Sequence, residues 1–494
     1  MKRTVVAILV MLLATLALAQ GRLTTAISSN PPTLDPQKTF NGYSFAITNQ
    51  VYETLFRVTP AGEIEGLLAA SWEFVDPSTL RITLRDGITF TDGTPLDAAA
   101  VKASLERLLD PATAAPGRFV VSAIDSVEVV DATTVDILTG EPFAPLLAHL
   151  AHPVAAIVPV AHGDDLARNP VGSGPFTFVS WEQSNQLLLK ANADYWGGVP
   201  AIEEVLYRII PEVSTQVIEL RSGGLDIIFN IPPDAFEALE ADTSVDTTAY
   251  LGWGSTMLGM NTVNPKLQDL RVRQALAHAI DKSLIIEEFL RGLAEPGVVP
   301  IPPTVRFAAS DLEEPYPFEP ETAKALLAEA GATGLKLTLD IYQNPDLEAV
   351  AQVLQFMLSE VGVDLTIRVQ EYAAYVEQTA KDDIELYLTS WGTVTLDADY
   401  TLYAFFHSSE IPDNNVSRYR VAAIDALLEE ARDNPADSTR AAAYRDVQEL
   451  VLADVPMVTL YYPLSTIAKS PVLQGEIVRF SWINLDLRNA TLAR

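Results

Sequence analysis

The feature that most constrains this chain is an unbroken alternation of strand and helix patterns from Leu335 onward. Residues 335–342 read as a strand, 346–361 as a helix, 363–369 as a strand, 372–380 as a helix and 384–390 as a strand. Short apolar runs separated by amphipathic helices bury themselves by crossing over a sheet and pairing in parallel. This half is therefore expected to form an α/β lobe with a largely parallel sheet. Helical patterns return at 421–433 and 437–453, before a strand pattern at Val458-Thr459-Leu460-Tyr461-Tyr462. The last thirty residues turn to strand and loop character.

The first half has a different texture. After the turn-rich Asn30-Pro31-Pro32-Thr33-Leu34-Asp35-Pro36, residues Ile47, Val51, Leu55 and Phe56 fall on one helical face. Hairpin patterns follow. Leu80-Arg81-Ile82-Thr83-Leu84 alternates apolar and polar residues, Asp86-Gly87 and Asp92-Gly93 mark turns around Ile88 to Phe90, and 127–130 faces 134–138 across Asp131-Ala132. Asp97 is placed to cap a helix carrying Val101, Leu105, Leu108 and Leu109, and Asp110-Pro111 should end it. Ser214 opens a helix that Gly223 should stop, and 225–229 reads as a buried strand. Near residue 265 the texture changes to helical runs at 270–280 and 284–290. No Ser/Gly linker or repeat separates the halves, so any domains are joined by ordinary crossings.

Bulk properties narrow the function classes. The chain carries 33 basic and 65 acidic residues, a formal net charge of −32. Such a surface repels phosphate backbones, which argues against a nucleic-acid partner. The acids are spread along the chain rather than gathered in a tail, and 48% hydrophobic content argues against disorder. With no cysteine there is no thiolate nucleophile, thiolate metal site or lipid-anchoring cysteine. At the N-terminus, Lys2 and Arg3 precede an apolar run to Leu16 and the small-residue site Ala17-Leu18-Ala19. The run is short of the roughly 20 residues of a spanning helix and has the three parts of a secretory signal. Residues 1–19 are expected to be a signal peptide, leaving a soluble exported chain that starts at Gln20.

Catalytic signatures are scarce. There is no phosphate-binding Gly-rich loop and no His-Glu-x-x-His helix. Of the five histidines, His149 and His152 have helical i, i+3 spacing but no third ligand in register. His278 sits among alanines and a leucine and reads as a core or edge residue. Gly172-Ser173-Gly174 lacks the spacing of a nucleophile elbow and reads as a turn. Asp86 and Asp92 lack the remaining ligands of a calcium loop. Asp397 and Asp399 are a candidate carboxylate pair for acid/base chemistry, which keeps a secreted hydrolase open as an alternative.

Several segments, taken together, resemble the family 5 extracytoplasmic solute-binding proteins of ABC importers, the group that binds peptides, dipeptides, glutathione and nickel. The opening 30–36 segment and Val51-Tyr52-Glu53-Thr54-Leu55-Phe56 match in order. So do Leu84-Arg85-Asp86-Gly87-Ile88-Thr89-Phe90-Thr91-Asp92-Gly93-Thr94-Pro95-Leu96 and Pro170-Val171-Gly172-Ser173-Gly174-Pro175-Phe176. Ala193-Asp194-Tyr195-Trp196 and the run from Leu270 to Lys282 complete the series. The resemblance implies a two-lobed α/β fold of the periplasmic-binding-protein type (type II, cluster C-like). Lobe I would comprise 20–55, 169–262 and 468–494, with a β-rich subdomain of 56–168 inserted into it. Lobe II would comprise 263–467. Two crossings between lobes imply a hinge that closes on ligand.

The resemblance also implies where ligand would bind: Thr39, Phe40 and Asn41; Trp253 and Asn261; Trp391, Gly392, Asp397, Asp399 and Tyr400; and additionally Tyr372 and Trp482. Aromatics supply apolar area with few rotors, and Asn and Asp supply directional hydrogen bonds. Two positions depart from the peptide-binding pattern. Val394 stands where such members hold the ligand's ammonium with an Asp, and Ile341 stands roughly where dipeptide binders place an Arg. Charge-assisted pairs are the strong part of such recognition. The implied function is capture of a peptide or peptide-like solute in the periplasmic or extracytoplasmic space and delivery to an ABC permease. A sugar, opine or metal chelate is the alternative cargo. No enzymatic activity, cofactor, metal site or catalytic residue is expected, and the protein is expected to be a monomer.

Overall fold

The computed structural model describes residues 21–59, 62–475, 477 and 485–493. The expected signal peptide and Trp482 lie outside the described residues. The strand–helix alternation after Leu335 is realised as Lys336–Tyr342, Pro345–Glu360, Asp364–Gln370, Tyr372–Thr379 and Leu386–Gly392. Lys336–Tyr342 pairs in parallel with the strands on both sides of it. Asn344 caps the first helix by accepting from the amides of Asp346 and Leu347. Leu347, Val350, Ala351, Leu354 and Leu358 then form its buried stripe. Antiparallel pairing extends this sheet from Leu386–Gly392 through Gly254–Met260 to Met457–Lys469. The helices Ala398–Phe406, Ala422–Asp433 and Asp437–Asp454 build a second core with Tyr387, Met257 and Trp253.

The other end of the sheet is built from the first half of the chain. Arg22–Ile27 pairs in parallel with Glu204–Ile209, which continues antiparallel through Gln186–Ala191 to Phe176–Glu182. The tail residues Leu485, Leu487 and Leu492 join its core beside Leu23, Ile47 and Tyr207. A separate four-stranded antiparallel sheet holds Ala69–Asp76, Thr79–Leu84, Thr134–Thr139 and Ile124–Val129. It packs on the helix Ala98–Leu109, which Asp97 caps through the Ala100 amide.

One long strand, Met457–Lys469, runs through both regions. Its second half pairs with Asp246–Leu251 and its first half with Gly254–Met260, so the chain crosses at Gly252-Trp253 and again near Tyr462-Pro463. Residues 254–260 pair within the α/β region, and 464–467 pair with the first-half region. Backbone ladders continue straight across the junction, and the change of texture near residue 265 falls beyond it.

The helix expected through Leu55 and Phe56 ends at Val51. The Val51 carbonyl accepts from the Gly174 amide at 2.8 Å instead of continuing the helix, and Leu55 and Phe56 enter a different core. A Cβ on Gly174 would lie 2.7 Å from the carbonyl oxygens of Gln50 and Val51, so this approach requires glycine. Ser173 is buried and donates to Glu53 at 2.8 Å, a structural bond that accounts for the Gly-Ser-Gly motif.

Candidate ligand-binding site

Three segments meet beside the crossing. Thr39 is buried and its hydroxyl accepts from the Asn41 amide, while Asn41 caps the helix Gly42–Val51 through the amides of Tyr43 and Ser44. Both side chains are thus occupied in holding the loop, and the residue between them is presented: Phe40 is 37% exposed. Its ring stacks on His152 (5.2 Å, 8°) and meets Phe45 edge-on. From the second segment, Trp253 packs flat against Gly392, where a side-chain carbon would fall inside the indole. The third is the end of strand Leu386–Gly392. There the Trp391 indole N–H donates to Thr401 at 3.0 Å, and its ring stacks on Tyr400 (5.5 Å, 27°).

Together these walls enclose a cavity of about 380 Å³, a size that suits a small ligand. Phe40, Trp253, Trp391, Gly392 and Tyr400 line it, with Tyr372 at its edge, 62% exposed and packed edge-on against Tyr342. Burial pushes the Tyr400 phenol up to about 12, so it stays a neutral donor. Val394, one of the two departures from the peptide-binding pattern, also lines the cavity, as do Phe45, Asn49 and His152, which carry no binding expectation from sequence. Phe45 and Asn49 were legible in principle, being four residues apart on one helix face.

A smaller chamber of about 120 Å³ adjoins the first and shares Asn49, His152, Pro153 and Val394 with it. Its far wall includes Glu53, Arg57 and Arg488. Burial raises the Glu53 carboxyl above its ordinary range, against the lowering effect of hydrogen bonds from Trp196, Tyr195 and Ser173. Arg57 pairs with Glu65, and Arg488 pairs with Asp486 at 2.6 Å.

Five expected residues do not line the cavity or its neighbour among the described residues: Thr39, Asn41, Asn261, Asp397 and Asp399. Asn41 holds the loop. Asn261 is fully buried and donates to the carbonyls of Asp382 and Ile384. Asp397 caps the helix Ala398–Phe406 and pairs with buried Arg440 at 2.7 Å. Asp399 forms a two-point pair with Arg432 at 2.8 and 3.1 Å. Burial raises the Asp399 carboxyl, but Arg432 outweighs it and holds the group below its usual range. Two carboxylates each neutralised by its own guanidinium are poorly placed for proton transfer to a ligand. His149 and His152 do not share a ligand either: Nδ1 of each ring contacts backbone, at the Val120 carbonyl and the Val154 amide respectively. Among the described residues no three His, Asp or Glu side chains converge to hold a metal ion.

Residues 63–413 match the model of the bacterial extracellular solute-binding proteins, family 5. The chain belongs to this family. It is 29% identical to the glutathione-binding protein GsiB of Escherichia coli K12 over 97% of this chain and 96% of that one. HbpA2 from Haemophilus parasuis superposes with a TM-score of 0.89 at 26% identity, covering 95% of this chain and 99% of that one. The periplasmic binding protein DppA from Helicobacter pylori, in complex with the peptide STSA, superposes with a TM-score of 0.78 at 28% identity, covering 96% and 99%. As in these relatives, the family 5 fold here is two-lobed, and no described helix is long and apolar enough to cross a membrane.

Proposed function

We propose that this chain is the solute-binding component of an ABC importer. It captures a peptide or peptide-like solute in the aromatic cavity and presents it to a membrane permease. The observation that carries the reading is the cavity itself. It lies beside the crossing between lobes, is walled by Phe40 from one side and by Trp391 and Tyr400 from the other, and shows no nucleophile–base pair in its lining among the described residues. Lobe I is assigned to 20–55, 169–251 and the chain from 464, with 56–168 as its inserted subdomain. Lobe II takes 254–461, so that closure bends the chain at Gly252-Trp253 and Tyr462-Pro463. This division is supported by the pairing of the long strand with both lobes. Trp482 joins the site as a proposal from sequence alone.

We further infer an exported monomer, matured by removal of residues 1–19, that releases its ligand chemically unchanged. The test is ligand-dependent melting of the purified protein against peptides, glutathione, sugars and metal chelates. A ligand at a hundred times its Kd stabilises by about 2.7 kcal/mol. A saturable rise that Trp391→Ala shifts to higher ligand concentration is expected. A flat response across the panel, or a bound ligand recovered as its hydrolysis product, contradicts the reading.

A further inference from the structure

The two chambers differ in chemistry, and the difference bears on the class of ligand. This inference rests on the cavity being the ligand site. The larger chamber is walled by the rings of Phe40, Phe45, Trp253, Trp391 and Tyr400, and among its described lining residues there is no carboxylate, ammonium or guanidinium. A charged group entering it would lose its hydration with no opposite charge to replace it. An aromatic cage for a cation needs ring faces that converge on it. Here Trp391 gives a face to Tyr400, and Phe40 gives one to His152. What these walls offer is apolar area for a flat, uncharged group.

Two polar side chains lie where the chambers join, and both are neutral; the charged Glu53, Arg57 and Arg488 stand on the far wall of the smaller chamber. Asn49 borders both chambers and makes no side-chain hydrogen bond among the described residues. His152 also borders both. Its Nδ1 accepts from the Val154 amide at 3.1 Å, which puts the proton of the neutral ring on Nε2. Burial, and then the nearby His149, push the ring down to about 3, so it stays neutral at physiological pH. Nε2–H is therefore a fixed donor with no protein acceptor among the described residues, and it matches a carbonyl or hydroxyl oxygen.

We propose that the site selects an uncharged ligand that lays a flat apolar face in the aromatic chamber and offers a neutral oxygen to His152 at the junction, in preference to a free zwitterionic peptide.

One scaffold in four charge states tests this by calorimetry. N-acetyl-phenylalaninamide is neutral, phenylalaninamide cationic, N-acetyl-phenylalanine anionic and phenylalanine zwitterionic. The neutral probe is expected to bind at least about tenfold more tightly than each of the others. Trp391→Ala should weaken it about tenfold and His152→Phe about fivefold, the latter being the net worth of one hydrogen bond. Equal or tighter binding of any charged probe overturns the proposal, as does failure of the neutral probe to bind at millimolar concentration. If a charged probe wins and Trp391→Ala still weakens its binding, the cavity stands as the site and only the ligand class falls. If Trp391→Ala leaves every probe's affinity unchanged, the site assignment falls as well.

Discussion

His152 gives a sharp prediction because its surroundings are well defined. The ring is 6% exposed, stacks on Phe40, meets Phe45 edge-on and accepts from the Val154 amide. Burial depresses its folded pKa to about 3 from the ordinary 6.5. A group depressed in this way contributes no penalty above pH 6.5, where both folded and unfolded chains hold it neutral. As pH falls below 6.5 the unfolded chain takes up a proton that the folded chain refuses, so stability is lost down to about pH 3. At about 1.4 kcal/mol per pH unit, the loss reaches about 3 kcal/mol at pH 4. His152→Phe keeps the stack but leaves the Val154 amide without its acceptor, a pH-independent cost of about 1–2 kcal/mol. Urea-denaturation midpoints followed by tryptophan fluorescence should therefore cross. The wild type is the more stable at pH 8 and the variant at pH 4. A stability difference that stays constant from pH 8 to pH 4 would refute the reasoning.

Other consequences are equally direct. Arg440→Met strands Asp397 in a buried site and should cost about 3–5 kcal/mol by denaturation. Adding Asp397→Asn should recover most of the loss. Gly392→Ala forces the Trp253 indole off its seat, so ligand affinity should drop while circular dichroism stays that of the parent. Gly174→Ala drives a carbon against the carbonyls of Gln50 and Val51, and a destabilisation of about 1–3 kcal/mol is expected from thermal melts.

Much of the fold is legible because its signals are local. The strand–helix alternation after Leu335 appears within a residue or two of its predicted ends, and Asp97 caps the helix that its spacing implied. What escapes is set by contacts between distant segments. Nothing near Val51 announces that Gly174 will take its carbonyl and end the helix. Asp397 and Asp399 look like available carboxylates only because their arginines lie 43 and 33 residues downstream. The aromatic walls Trp253 and Trp391 are implied by family resemblance and by no local pattern. In the sequence His152 stands out only by its spacing to His149, whereas its place in the structure follows from Phe40, more than a hundred residues earlier.

If the protein works as proposed, an intact solute is held between Phe40, Trp253 and Trp391. The most direct test of this is denaturing release from protein purified out of rich medium, with mass spectrometry of what comes off. A small molecule is expected in near-stoichiometric amount, chemically unaltered when added back, and absent from a Trp253→Ala/Trp391→Ala double variant that keeps the parent's circular dichroism. Recovery of the same molecule in equal amount from that variant would contradict capture at this site.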